Sequence, residues 1–296
     1  MSADEHAERF TLLRPLLFTI VYEILGSATD SDDVLQNSYL RWAEVDLATV
    51  RDTKSYLAQM VTRQALNALR ASARRREDYI GPWLPEPLLL DENDASADVL
   101  LAESVSMAML VLLETLTPDE RAVFVLREVF GFEFRDVATA MGKSVATVRQ
   151  VAHRARGHVR ARRKRFEPVD AVTTSRITDQ FLTAATTGDL DGLLSLLASD
   201  VTWTADSGGK ATAARRPVVG AERVAAVLMT LFRLERLADL RIERVNCNNT
   251  PALVLSGERL EAVFLIEIAH GKITNFYAIR NPDKLLAMAI PRRISR

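Results

Sequence analysis

The chain has 296 residues, 48% hydrophobic and 26% charged, with 38 Lys and Arg against 39 Asp and Glu. That length suggests about two domains, each able to bury its own core. The formal net charge of −1 excludes a global attraction to nucleic acid or membrane, so any such binding has to come from local patches.

Residues 8–76 read as helical. Phe10, Leu13, Leu17, Ile20, Val21 and Ile24 recur at helical spacing, and Gly26 is placed to end that helix. Pro15 lies inside the pattern and predicts an early turn or a kink. Asp30 or Ser31 is expected to cap a second helix running through Trp42, with Asp32 and Asp33 in a first turn where the helix dipole favours negative charge. A third helix starts near Asp52, carries Tyr56, Leu57, Met60, Val61, Leu66 and Leu69, and ends in Arg70 and Arg74-Arg75-Arg76. Its Arg63, Gln64, Asn67 and Arg70 read as a solvated face or as a surface that holds an unpaired strand.

Residues 77–97 read as a linker, because Gly81, Pro82, Pro85 and Pro87 deny helix and acids follow them. An aromatic beside prolines, Trp83-Leu84-Pro85-Glu86-Pro87-Leu88, suggests a docking peptide, since prolines lower the ordering cost of binding. Helical periodicity resumes near Asp98 and runs to Leu116. Thr117-Pro118-Asp119-Glu120 is a capping-box start for a helix ending at Gly131. A short helix, Phe134 to Met141, a turn at Gly142 and a helix capped by Ser144 then make a helix-turn-helix. In the last helix Val145, Val148, Ala152, Ala155 and Val159 form the apolar stripe. Thr147, Arg149, Gln150, His153, Arg154 and Arg156 fall mainly on the other faces, and the first four are placed to reach base edges.

Charge is segregated along this half. Lys143 to Arg165 holds nine Lys or Arg and no acid, whereas Glu77 to Glu120 holds eleven acids and no base. Solvated faces normally mix signs, so the basic stretch points to the phosphate backbone, where neutralisation releases counterions.

After Phe166-Glu167-Pro168 the texture changes. Residues 172–197 give two helices broken at Gly188. Strand-like runs follow at Val201–Ala205, Arg241–Asn246, Ala252–Ser256, Leu260–Ala269 and Lys272–Ile279, interrupted by a helix from Ala221 to Leu237. This order implies an α+β domain over about 172–290.

Catalytic signatures are sparse: the chain carries no Gly-rich phosphate loop, GxSxG, HExxH or CxxC. Trp203, Asp206, Arg280 and the Asn246-Cys247-Asn248-Asn249 cluster could line a pocket, or they are a core tryptophan and loop polars. Cys247 is the only cysteine, which excludes an intramolecular disulfide and suits a reducing compartment. The polar, acidic start is not that of a signal peptide, and the longest apolar run, Met107 to Leu113, is far too short to span a bilayer, so a cytosolic protein without a membrane partner is expected.

These features together resemble the bacterial extracytoplasmic-function sigma factors. Asp32-Asp33-Val34-Leu35-Gln36-Asn37-Ser38-Tyr39-Leu40 is similar to the helix of sigma region 2 that docks on core RNA polymerase, with Asn37 and Ser38 departing from the usual Glu-Thr. Leu116-Thr117-Pro118-Asp119-Glu120-Arg121 through Arg154-Ala155-Arg156 resembles sigma region 4. Trp83 to Leu88, Asp206-Ser207-Gly208-Gly209-Lys210 and Asn281-Pro282-Asp283-Lys284-Leu285 are similar to motifs of the subgroup carrying a C-terminal SnoaL-like domain, a cone related to nuclear transport factor.

The resemblance implies an all-α region 2 over residues 8–76, an acidic linker over 77–97, an all-α region 4 over 98–165 and an α+β cone over 172–290. It implies that Asp32, Asp33, Gln36 and Tyr39 bind core polymerase. Arg63, Gln64, Asn67, Arg70, Arg74 and Arg75 would engage the minus-10 element, and Ser144, Thr147, Arg149, Gln150, His153, Arg154 and Arg156 the minus-35 element. Trp83, Leu84, Pro85, Glu86, Pro87, Asp206, Gly208, Gly209, Lys210, Asn281, Pro282, Asp283, Lys284 and Leu285 would be regulatory, the added domain standing in for a separate anti-sigma protein; it is expected to pack against the linker motif at Trp83 to Pro87 and to set the spacing of the two DNA-binding regions. The acidic linker would thread polymerase channels built for nucleic acid. No cofactor, metal or catalytic residue is implied, and a small-molecule effector in the C-terminal domain is a partner the resemblance allows. Three alternatives stand beside it: an enzymatic or ligand-binding cone of the cyclase, isomerase or hydrolase kind fused to a helix-turn-helix regulator, a repressor acting without polymerase, and a dimerising module.

Overall fold

The computed structural model describes residues 2–90, 99–162, 170–233 and 240–296. The chain divides into two units: a helical one of residues 1–77, 90–163 and 291–296, and a mixed one of residues 78–89 and 164–290.

The helical unit begins with α1 (Ser2–Leu25), α2 (Ala28–Trp42) and α3 (Thr53–Glu77). Leu17, Ile20, Val21 and Ile24 of α1 meet Leu35, Trp42, Leu57 and Val61 in a core with essentially no exposure, and each such side chain contributes roughly 1.5–3 kcal/mol by leaving water. α1 runs through Pro15 without ending there, and the hydroxyl of Thr19 donates to the Pro15 carbonyl at 2.7 Å. The cap of α2 is Ser27, not Asp30 or Ser31: its side chain accepts from the Asp30 amide at 3.0 Å. The left-handed Gly26 just before it ends α1, so the two helices are joined too tightly for a later start.

The expected single helix up to Leu116 is two, α4 (Val99–Ser104) and α5 (Met107–Leu113). Ser106 breaks it by capping α5 through the Met109 amide. The Thr117–Glu120 capping box opens α6 (Pro118–Phe124), which passes into a wider π turn over Val125–Val129. Then come α7 (Phe134–Met141), the left-handed Gly142 and α8 (Val145–Arg162). Arg163, Lys164 and Arg165 lie outside the described residues.

In the mixed unit α9 (Ala171–Thr187) and α10 (Leu190–Leu196) are parted at left-handed Gly188. β1 (Leu197–Asp206), β2 (Val218–Val219), α11 (Ala221–Arg233), β3 (Arg241–Cys247), β4 (Thr250–Ser256), β5 (Leu260–Ala269), β6 (Lys272–Ile279) and α12 (Pro282–Leu285) follow. The part of the expected helix beyond Arg233 lies outside the described residues, and the two-residue β2 lay below any alternation signal. The strands form one sheet in the order β2-β1-β6-β5-β4-β3, antiparallel except for β1 beside β6. Phe181, Leu193, Trp203, Val224, Leu228, Phe264, Ile266 and Phe276 fill the space between one sheet face and the helices. Period-2 alternation sends Val263 and Leu265 to the opposite face. The Asn248–Asn249 pair has φ of 53° and 51° between the paired Cys247 and Thr250, so it forms a primed hairpin turn.

Candidate functional site

The helix-turn-helix is built by few residues. Val148, Val151, Ala152, Ala155 and Val159 bury one stripe of α8. Ser144 caps its start by accepting from the Thr147 amide at 3.1 Å. Thr147, Arg149, Gln150, His153 and Arg154 are consequently exposed at its N-terminal half, the end that enters a major groove in such motifs. The Arg149 guanidinium lies 5.5 Å from the Phe134 ring centre on α7. Arg154 and Arg156 are drawn toward Glu120 at 3.7 Å and Glu128 at 3.5 Å.

α3 presents a different picture. Arg63 donates to the carbonyls of Thr139 at 2.6 Å and Ala140 at 3.2 Å, in the last turn of α7. Arg70 pairs with Asp119 at 3.0 Å. Gln64 donates to the Ser38 hydroxyl, and Asn67 is exposed. The side chains of Arg74 and Arg75 lie outside the described residues. On α2, Asp33 and Gln36 are exposed, Tyr39 stacks edge-on against Phe10, and Asp32 pairs with Arg14 at 3.0 Å and Arg292 at 2.7 Å.

Beneath these surfaces lies a polar cluster that composition did not reveal. Arg121 is 1% exposed; its Nε donates to the Glu23 carbonyl at 2.8 Å and its Nη1 to Glu114 at 2.6 Å. Glu114 also takes Arg76 of α3, whose other nitrogen donates to the Leu25 carbonyl at 2.9 Å. The Glu23 carboxyl accepts from the Ser104 hydroxyl at 2.6 Å. Burial pushes that carboxyl up to about 8, against the downward pull of Ser104 and Arg121. The sequence signal was Glu23 interrupting the apolar stretch Phe18 to Leu25.

In the mixed unit the three short motifs come together. Asp206, at the end of β1, is fully buried and accepts from the Leu84 amide at 2.8 Å, from Lys284 at 2.7 Å and from the Tyr79 hydroxyl. The Lys284 ammonium also donates to the Leu84 carbonyl and sits 3.3 Å from the Trp83 ring centre, a short cation–π contact in a desolvated site. Asn281 caps α12 through the Asp283 amide and donates from its side chain to Tyr79 at 2.8 Å. Gly208 is required by space as well as by φ, because a Cβ there would lie 2.6 Å from the Asn281 amide nitrogen. Lys210 pairs with Asp283 at the surface, and Leu88 and Asn248 exchange bonds, amide to side-chain oxygen at 2.7 Å and amide to carbonyl at 2.9 Å. Residues 78–89 are thus packed as part of this unit. Tyr79 was missed as a site residue, because it belongs to no short motif; Asn248, read with its neighbours as pocket lining or loop polars, holds the linker peptide through Leu88. Burial raises the Tyr79 hydroxyl well above its ordinary value, and the bond to Asp206 raises it further, so it stays a donor. Burial likewise pushes the Cys247 thiol up to about 12, leaving it unreactive. Trp203 packs against Phe264 and Phe276 on the helix-covered face, so it and Asp206 do not converge on one pocket.

Among the described residues no helix is long and apolar enough to cross a membrane, and no cluster of His, Cys, Asp or Glu is arranged to hold a metal. Two family patterns match the chain, Sigma-70 region 2 over residues 10–75 and Sigma-70 region 4 over residues 106–159. In that order they define a sigma-70-type initiation factor. The chain is 35% identical to the extracytoplasmic-function RNA polymerase sigma factor SigJ of Mycobacterium tuberculosis, over 96% of this chain and 94% of the relative. It is 29% identical to the probable sigma factor SigI of the same species, over 92% of each. Its fold is similar to the crystal structure of M. tuberculosis SigJ, with a TM-score of 0.75, 30% identity and coverage of 95% of this chain and 98% of that one. The chain belongs to the extracytoplasmic-function family of RNA polymerase sigma factors, and its function is that of a sigma factor in transcription initiation.

Proposed function

We propose that this chain seats on core RNA polymerase through α2, with Asp32, Asp33, Gln36 and Tyr39 at the contact, and reads the minus-35 element through Ser144, Thr147, Arg149, Gln150 and His153. Arg154 and Arg156 then lie toward the phosphates. The exposed Asn67, with Arg63, Gln64 and Arg70 once these three leave their intramolecular partners, holds the opened minus-10 strand. The observation that carries this reading is the exposed, acid-free N-terminal half of α8 in a capped helix-turn-helix. The protein works where polymerase works, in the cytoplasm, and has no catalytic role: the helix-covered face of its sheet is filled by Phe181, Trp203, Phe264 and Phe276.

The linker peptide at Trp83 to Pro87 and the motifs around Asp206 and Lys284 regulate output, by fixing how much chain is left between the two DNA-binding regions. In transcription reconstituted with purified core polymerase, the full chain is expected to initiate from its promoter, and Trp83→Ala to change the yield without lowering the helical content. Failure of the full chain to direct any initiation would remove the reading. An unchanged yield from Trp83→Ala would remove the regulatory part alone.

A further inference from the structure

We propose that the segment Pro291–Arg296 is an intramolecular competitor for the acidic face of α2, occupying the carboxylate through which that helix meets a cationic surface of core polymerase. This rests on the polymerase reading of α2 above. Residues 291–296 belong to the helical unit, although the preceding residues belong to the mixed one. Contacts of several kinds hold the segment. Arg292 is 2.7 Å from Oδ2 of Asp32, and its guanidinium lies 5.5 Å from the Phe18 ring centre. Its backbone forms a parallel bridge with Leu90. Ile294 is 4% exposed. The Ser295 amide donates to the Thr19 hydroxyl at 3.2 Å, and Arg296 donates to the Val129 carbonyl at 3.3 Å.

The charges match what a partner would bring. Arg292, Arg293 and Arg296 are three cations in six residues, and α2 offers Asp30, Asp32 and Asp33. Arg14 already holds Oδ1 of the half-buried Asp32 and Arg292 holds Oδ2. A cation arriving from another protein therefore has to displace Arg292, not merely add to it. A partly exposed ion pair is weak by itself, so the contact is a displaceable competitor and not a permanent block. Such a competitor lowers apparent affinity by the fraction of molecules in which it is bound.

The test is the dissociation constant for purified core polymerase, measured at one fixed salt concentration with three full-length chains: the unaltered protein, Arg292→Ala and Ile294→Asp. Both variants are expected to bind tighter, by roughly 3- to 10-fold, as release of the segment raises the competent fraction. Equal affinity of all three overturns the competition and leaves the polymerase reading standing. Tighter binding by Ile294→Asp with no change in Arg292→Ala overturns the Asp32 contact as its basis. Absence of binding by every chain overturns both the competition and the polymerase reading.

Discussion

Helices α3 and α8 carry the same kind of sequence, an apolar stripe with basic and amide side chains on the remaining faces, yet the fold treats their charges in opposite ways. On α8 the side chains nearest the N-terminus project from the protein. On α3, Arg63 is taken by carbonyls at the end of α7, Arg70 by Asp119, and Arg76 by Glu114 and the Leu25 carbonyl. A helix C-terminus with unsatisfied carbonyls is a ready acceptor for a guanidinium. The difference teaches that a run of cations locates a possible nucleic-acid surface, while neighbouring acceptors decide whether it is available. On the reading proposed above, α8 would meet duplex DNA as it stands, whereas α3 would exchange protein partners for an opened strand.

The strongest way to break this contrast is at Arg121, because its buried guanidinium organises the acceptor that holds α3. Arg121→Ala leaves Glu114 without one of its two cations and the Glu23 carbonyl without its donor. Removing one partner of a buried pair costs about 3–5 kcal/mol, and urea unfolding of the full chain is expected to show a loss of that size in the helical unit. A loss under about 1 kcal/mol would mean that the cluster does not anchor α3.

A somewhat smaller effect is expected from Glu23, and it depends on pH. Its carboxyl binds a proton more tightly in the fold, at about 8, than at its ordinary 4.5. The stability it contributes is therefore complete below pH 4.5, falls as the unfolded chain ionises, and is lost as pH rises through about 8. Unfolding free energies across that window should decline by an order of a few kcal/mol in the unaltered protein. In Glu23→Gln, which stays neutral and keeps an acceptor for Ser104, that part of the slope should vanish. A slope unchanged by the substitution would show that other groups carry the pH dependence.

Much of the helical unit was legible because its signals are local. Thr117-Pro118-Asp119-Glu120 states a helix start, Gly142 a left-handed stop and Ser144 a cap, and the structure uses all three. Ser27 was passed over as a cap because Asp30 and Ser31 have the same chemistry and only the tight turn at Gly26 chooses between them. The pairings of Arg63, Arg70, Arg76 and Arg121 were not legible. Thr139 lies 76 residues from Arg63, Asp119 lies 49 from Arg70, Glu114 lies 38 from Arg76 and Glu23 lies 98 from Arg121, and no periodicity spans such gaps. Packing of the linker peptide against the C-terminal domain was expected from the three motifs, whereas the bonds from Tyr79 and Lys284 to Asp206 were hidden for the same reason. The sequence showed three motifs, and only the sheet brings the end of β1 beside α12 and the linker peptide.

The finest test sets one arginine of each helix against the other. Arg149→Ala should remove the proposed base contact at the cost of only a ring contact with Phe134, so affinity for the promoter duplex should fall by about 1–3 kcal/mol and discrimination at one base position should relax. Arg63→Ala should remove the proposed contact with the opened strand, but it also removes the bonds to Thr139 and Ala140 that hold α3 against α7. The two losses act on binding in opposite directions, so the net change should stay within about 1 kcal/mol, the scale of a single exposed charge contact. Both variants should be measured as holoenzyme on one promoter at one salt concentration, because phosphate contacts make affinity steeply salt-dependent. If Arg63→Ala weakens binding as much as Arg149→Ala, the α7 carbonyls do not compete with DNA for that side chain. The two helices would then differ only in geometry, and α3 would be as ready for its strand as α8 is for its groove.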